Sequence, residues 1–201
     1  DGNKNRLRAQ DIHKIVDTFT RQLEIPRYSR MVPVAEIEAN DFNLNLPRYI
    51  DSTEPEDIQD LTAHLQGGIP NRDLDALSAY WQEMPQLRAT LFAPLRPGYS
   101  QLQQPITEVK ATILGHPEFT AFHARVTTLF DDWRARHTPR LMAFSQGAHP
   151  KELVEALAED LLASIKPAPL VDEYAVYQQL MDYWAEAMQD DAYAIAQDGW
   201  E

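Results

Sequence analysis

Asn40, Asp41, Asn43 and Asn45 alternate with Phe42, Leu44 and Leu46 in residues 37–51, IEANDFNLNLPRYID, and packing alone does not call for so many short polar side chains. Side-chain amides bond backbone groups two residues on, base edges in a DNA groove, or a partner chain. Two readings therefore stand side by side. In the first, Asn40, Asn43 and Asn45 form a contact surface for DNA or another subunit; in the second, they fix a tight turn. The alternation also allows a short strand with one apolar and one amide face. Just beyond, Arg48 and Tyr49 can anchor an interface or a phosphate. Lys4, Arg6, Arg8, Arg27 and Arg30 lie upstream, and with Arg48 they compose a possible DNA clamp.

Other chemistry finds little footing. The six histidines, His13, His64, His116, His123, His137 and His149, include no pair at i, i+4 with a Glu between, so metal-ligand spacing is absent. Asp1, Asn3 and Asn5 faintly imitate a calcium loop. Arg6 stands where that loop needs Gly, however, and Ile12 where it needs a bidentate Glu. Ser29, Ser52 and Ser100 sit in no Gly-x-Ser-x-Gly turn, so a hydrolase nucleophile is unsupported. Asp131-Asp132, Glu159-Asp160 and Asp190-Asp191 are adjacent pairs, which diverge on a helix and are read as solvated. With no cysteine in the chain, disulfides and thiolate metal sites are excluded.

The elements that must position these residues are mostly helices. Leu7, Ile12, Ile15, Val16, Phe19 and Leu23 predict an amphipathic helix over 7–23, with Arg8, Lys14 and Asp17 on the other face. A short strand is expected over 28–32 and a brief helix from Pro33 to Ile37. Thr53 and Glu56 form a capping box, with Pro55 in the first turn and Ile58, Leu61 and Leu65 as the stripe of a helix ended by Gly67-Gly68. Pro70-Asn71 opens the next helix, carrying Leu74, Leu77, Trp81 and Met84, and Pro85 restarts a short one through Phe92. Residues 52–92 thus read as a helical hairpin. Pro94, Pro97, Gly98 and Pro105 make 93–105 a Pro/Gly loop and the best internal hinge.

Residues 106–201 read as a helical bundle region. Helices are expected over 106–114, 117–137 and 139–145, then from His149-Pro150 with Leu153, Val154, Leu157, Leu161 and Ile165. The last begins at Asp172, with Tyr177, Leu180, Met181, Trp184 and Met188 on one face. A short strand is expected at 193–196. The stripes holding Trp81, Trp133 and Trp184 read as core; one left exposed would seat a protein helix sooner than a small molecule. The fold class is mainly α: a multi-helix, bundle-like carboxy-terminal region preceded by a short mixed strand and helix segment.

Hydrophobic residues at 44% and charged residues at 24% are globular values. No apolar run approaches the roughly 18 residues of a membrane span, and Asp-Gly-Asn-Lys-Asn has no signal-peptide core. A soluble, untargeted chain is expected. The lack of an initiator Met suggests a piece of a longer protein. The net charge of −13 is uneven: residues 1–30 hold seven Lys/Arg against four Asp/Glu, the rest eleven against twenty-seven. Unaided DNA binding needs a basic surface, so everything after about residue 50 is a poor candidate for it. That acidity reads as a solvated helical surface, with a module imitating DNA as the other reading.

DGNKNRLRAQDIHKIVDTF, YSRMVPVAEI, NDFNLNLPRYID, HLQGGIPNRDLDALSAYW with PQLRATLF after it, and LMDYWAEAMQDD together give the chain a family likeness. In this combination it resembles the modification (methyltransferase) subunit of type I DNA restriction-modification enzymes. The resemblance implies a cytoplasmic, non-membrane protein that moves a methyl group from S-adenosylmethionine to the exocyclic N-6 amine of a flipped adenine. It also implies a complex with a specificity subunit, which reads the DNA, and a restriction subunit, which cleaves it. The family's Phe-x-Gly-x-Gly cofactor turn and its Asn-Pro-Pro-Phe/Tyr motif are both missing. No cofactor binding and no catalysis are therefore expected of these residues alone. Residues 1–51 would be the trailing edge of the methyltransferase domain, completed by the strand and helix segment, and the acidic helices would serve subunit assembly.

Overall fold

A computed structural model describes residues 6–53 and 59–200 and divides the chain into two compact units, Asp1–Ile58 and Gln59–Glu201. Lys4, the Asp1, Asn3 and Asn5 cluster, and the Glu56, Pro55 and Ile58 part of the expected capping box lie outside the described residues.

In the first unit, helix α1 (Ala9–Thr20) starts where Asp11 Oδ2 accepts from the Arg8 backbone N–H at 2.9 Å and from Arg8 Nε at 3.1 Å. The Arg8 guanidinium holds the Asp11 carboxyl below the usual carboxylate range. The helix is amphipathic as expected, but it lies with its polar face inward. Gln10, Asp11, His13, Lys14, Asp17 and Thr18, with Ala9, are the less exposed positions, whereas Ile12, Ile15, Val16 and Phe19 are exposed, Phe19 at 85%.

The expected strand over 28–32 does not form. Ser29 closes a local turn instead: its hydroxyl donates to the Leu23 carbonyl at 2.7 Å and accepts from the Ile25 N–H at 3.0 Å, with an isolated bridge between Ile25 and Ser29. Helix α2 (Val34–Ala39) follows Pro33 and runs two residues past the expected end at Ile37. The Asn-rich stretch is also not a strand. Asp41 and Phe42 take left-handed backbone angles, φ 53° and 57°, which break the alternation of faces. A single 3-10 turn, Leu46–Arg48, then leads out.

The second unit is helical around two apolar clusters. Helix α3 (Leu61–Gln66) is capped by Asp60, whose Oδ1 accepts from the Ala63 N–H at 2.9 Å. After Gly67-Gly68 come β1 (Ile69–Pro70), α4 (Asn71–Asp75), α5 (Ser78–Glu83) and α6 (Pro85–Leu91). The expected helix from Asn71 is thus interrupted at Ala76 and Leu77. Residues 93–105, expected as a loop, instead carry a hairpin of β2 (Phe92–Arg96) and β3 (Tyr99–Leu102), so Phe92 opens a strand rather than ending a helix. The sheet is antiparallel in the order β1-β3-β2, with Gly98 supplying φ 81° in the turn. Gly68 admits the close approach of this hairpin, since a Cβ there would lie 2.9 Å from Leu95 Cδ2.

Helix α7 (Ile106–Gly115) leads into the long α8 (Pro117–Met142). The sequence suggests a break near 138, but α8 continues through Pro139 to Met142. Leu141 and Phe144 pack against the larger cluster, and that burial outweighs the single ladder bond a proline removes near a helix end. Helix α9 (Pro150–Ile165) and α10 (Glu173–Tyr183), capped by Asp172, follow as expected. The chain then passes through a π turn, Trp184–Met188, into α11 (Gln189–Asp198), so the expected strand at 193–196 is helix. Residues four apart drift by about 40° per step on a regular α-helix. The wider π turn offsets that drift and keeps Trp184, Met188 and Ala192 on one cluster.

That cluster joins Trp133, Leu153, Leu157, Leu161, Ile165, Trp184 and Ala192. The smaller one joins Met84, Leu87 and Leu91, with Val109, Ile113 and Phe119 against it. Helix α8 serves both, Phe119 at its start touching the smaller and Trp133 the larger. Among the described residues no helix is long and apolar enough to cross a membrane.

Candidate functional site

In the first unit the chain bends back at Ser29 and again at Asp41-Phe42, and this brings some of the sequence-predicted residues together. Arg27, Arg30 and Tyr49 line a cleft of about 390 Å³ with Glu24, Ile25 and Asp51. Arg27 reaches it from a left-handed backbone position, φ 65°, and its guanidinium donates to the Thr53 carbonyl. Arg30 donates to Glu36 through both terminal nitrogens, Nη1 to Oε1 at 3.0 Å, and to the Tyr49 carbonyl at 3.3 Å. Glu36 raises the already high pKa of Arg30 further. Asp51 is held below the usual carboxylate range by its bonds from Thr53, with Arg27 adding to the effect. Arg27 and Arg30 meet three carboxylates, Glu24, Glu36 and Asp51, so the charges in and beside the cleft do not favour a phosphate.

Asn40 and Asn43 bond the backbone of their own turns through their side chains. Asn40 caps α2 and sends Nδ2 to the Glu36 carbonyl at 2.9 Å. Asn43 Oδ1 accepts from the Asn45 N–H at 2.9 Å, and the Tyr49 hydroxyl donates to the Asn43 carbonyl at 2.5 Å. Asn45 precedes the 3-10 turn without capping it by its side chain. Arg6 and Arg48 are exposed outside the cleft, and Arg8 is tied to Asp11. Sequence reasoning misses Glu24 and Asp51, whose roles depend on two turns that no periodicity announces.

The second unit offers a different surface. Where α8, α9 and α11 converge, Leu141, Phe144, Leu153, Met188, Ile195 and Trp200 line an apolar cleft of about 580 Å³, with Asp191 and Asp198 at the same site. Gln146 Nε2 ties the loop after α8 to the Gln197 carbonyl at 2.9 Å. Among the described residues no group of His, Asp and Glu is arranged to hold a metal ion.

Of the acidic pairs, Asp160 is not merely solvated. Its Oδ2 accepts from Arg136 Nη2 at 2.8 Å and lies 2.8 Å from Nε2 of the buried His137. The Arg136 bond, with help from His137, holds the Asp160 carboxyl below the usual carboxylate range despite partial burial. The folded state thus binds the proton less readily than the unfolded chain. This contribution to stability is complete above the unfolded value near ~3.9 and is lost as pH falls through the folded value. Asp160→Asn is expected to melt below the parent at neutral pH, with the gap closing in acid. A gap that stays constant down to pH ~2 would show that the carboxylate charge is not the cause.

Residues 1–58 match the N-6 DNA Methylase family, the same extent as the first compact unit. The type I restriction enzyme MjaVII methylase subunit of Methanocaldococcus jannaschii is 39% identical over 62 residues, 31% of this chain and 11% of that relative. The aligned part thus spans about a tenth of the relative's length. No solved structure matches. The resemblance to a type I modification subunit, read from the sequence, is supported by both findings. Residues 1–58 contain a single glycine, Gly2, so they do not supply the Gly-rich cradle expected for S-adenosylmethionine.

Proposed function

We propose that the chain is part of the modification subunit of a type I restriction-modification enzyme, a cytoplasmic S-adenosylmethionine-dependent, adenine-specific N-6 DNA methyltransferase. In this reading residues 1–58 are the trailing part of the methyltransferase domain. Residues 59–201 hold the subunit to the specificity or restriction subunit, and DNA is met through the whole complex. The observation that carries the reading is the coincidence of the compact first unit with the N-6 DNA Methylase match.

The chemistry of each unit supports this division. Arg8, Arg27 and Arg30 are engaged within the first unit, which weakens a clamp built from them. The second unit combines an acidic surface, unsuited to phosphate, with an apolar cleft open to a protein helix. Methyl transfer itself would be carried by residues elsewhere in the subunit.

The test is co-purification of the 201-residue chain with separately expressed specificity and restriction subunits, scored by size exclusion at moderate salt. A stable complex with either subunit is expected, and Trp200→Asp in the apolar cleft should weaken it. No complex with either would exclude the assembly role. Salt-sensitive binding of the chain alone to duplex DNA would favour the clamp instead.

A further inference from the structure

From the inverted setting of α1 we infer that the stripe Ile12, Ile15, Val16 and Phe19 is the seat of the remaining, catalytic part of an N-6 DNA methylase domain. The inference rests on the reading of residues 1–58 given above and adds to it the surface by which they are held.

An amphipathic helix on a self-sufficient unit turns its apolar face inward. Helix α1 does the reverse. Its less exposed positions are Ala9, Gln10, Asp11, His13, Lys14, Asp17 and Thr18, of which Asp17 alone is buried, and its apolar positions Ile12, Ile15, Val16 and Phe19, spaced i, i+3, i+4, i+7, lie on the side left open. Ile12 is 51% exposed, Ile15 46%, Val16 53% and Phe19 85%. Among the described residues of this unit the one buried side chain is Asp17, ion-paired to Arg21 at 3.3 Å, and no apolar side chain is buried. A unit of this size needs a core to hold its shape, and this one must obtain it from outside.

The extent of the family match identifies the occupant. The match and the unit share the limits 1–58, while the aligned part of the relative is 11% of its length, so most of such a subunit lies beyond the matched segment. The stripe carries no charge over two helical turns. Such a surface is that of a domain core divided in two, whereas transient docking patches are more polar.

The chain has no cysteine, so single cysteines report the stripe directly. Phe19→Cys and Val16→Cys, with Thr20→Cys as an exposed control, would be placed in the 201-residue chain. The same residues 1–58 would be placed in the full-length M. jannaschii methylase subunit in exchange for its matched segment. Thiol labelling is followed peptide by peptide. The expected result is fast labelling at all three positions in the isolated chain. In the full-length subunit, positions 16 and 19 should label on the order of tenfold more slowly while position 20 stays fast.

Equal labelling in both settings would overturn the inference. So would protection that appears in the isolated chain as its concentration rises, which names a second copy as the occupant. Protection seen only after adding the specificity or restriction subunit would assign the stripe to that subunit and overturn it likewise. A full-length exchange product that is not protease-resistant would show that the catalytic part does not accept this face. The assembly role fails separately: a protected stripe in a subunit that does not co-purify with its partners removes that role and leaves the inference standing.

Discussion

Leu157→Ala is expected to destabilise the second unit by roughly 2–5 kcal/mol, the range for emptying a well-packed leucine site. Leu157 is 1% exposed, the most enclosed large side chain among the described residues. It stands at the middle of α9 between Leu153 and Leu161, with Trp133 and Trp184 in the same cluster. Its surroundings cannot easily close over a gap, because its own carbonyl accepts the Trp133 indole N–H at 3.0 Å and fixes the ring beside it. The cavity term is therefore expected in full. Native domains hold only about 5–15 kcal/mol in total, so the loss is a large share. Denaturant unfolding followed by tryptophan fluorescence reads this core, and the midpoint should fall with little change in slope. Leu65→Ala, at a position 85% exposed, should leave the midpoint in place. Equal midpoints for the two variants would mean that the cluster is not what holds this unit together.

The same contrast between Leu157 and Leu65 explains what the sequence made legible. Helices whose starts carry a chemical signal were readable: Pro33 before α2, His116-Pro117 before α8, His149-Pro150 before α9 and Asp172 before α10. The core stripe of α9 followed from spacing alone, since a helix packed on one side leaves no other arrangement for Leu153, Leu157 and Leu161. Features set by long-range contacts were not readable. The hairpin over 92–102 contains Pro94 and a Pro97-Gly98 turn, locally the composition of a loop, and it becomes a sheet through pairing between β1 and β3, residues 69–70 with 99–100. Pro139 marks a break by local rules, yet the burial of Leu141 carries α8 past it.

The candidate site divides along the same line. Residue types in 37–51 pointed to unusual backbone and to amide bonding, and Asn40 and Asn43 do make such bonds. The convergence of Arg27, Arg30 and Tyr49 came from left-handed turns at Arg27, Asp41 and Phe42, two of them at residues whose types give no warning. Which face of α1 would be covered was also beyond reach. The spacing of Ile12, Ile15, Val16 and Phe19 fixes that the helix has two faces, and the identity of the neighbour fixes which one is hidden.

A long-range cap supports the second large effect: Glu118→Ala is expected to cost about 1–3 kcal/mol, the range for leaving a partly buried donor without its acceptor. Helix α6 begins at Met84-Pro85 with no side-chain cap of its own. Glu118, in the first turn of α8, supplies one from more than thirty residues away. Its Oε1 accepts from the Gln86 N–H at 3.1 Å and its Oε2 from the Leu87 N–H at 2.9 Å. One carboxylate thereby sits at the positive ends of two helices and locks the start of α8 to the start of α6. The bond to Leu87 lies at the edge of the smaller apolar cluster, where Leu87 is 3% exposed and Phe119 packs alongside. Losing the acceptor thus strands the Leu87 donor where water reaches it poorly, while the Gln86 donor stays open to solvent. Glu118→Gln is expected to fall between parent and Ala, because its amide oxygen can accept from one N–H while its NH₂ confronts the other. Thermal unfolding gives the ranking, and hydrogen exchange at Gln86 and Leu87 locates the effect, both amides exchanging faster in the Ala variant. An Ala variant that melts with the parent and leaves those two amides protected would show that the contact does not tie α6 to α8, and the two clusters would then owe their union to α8 alone.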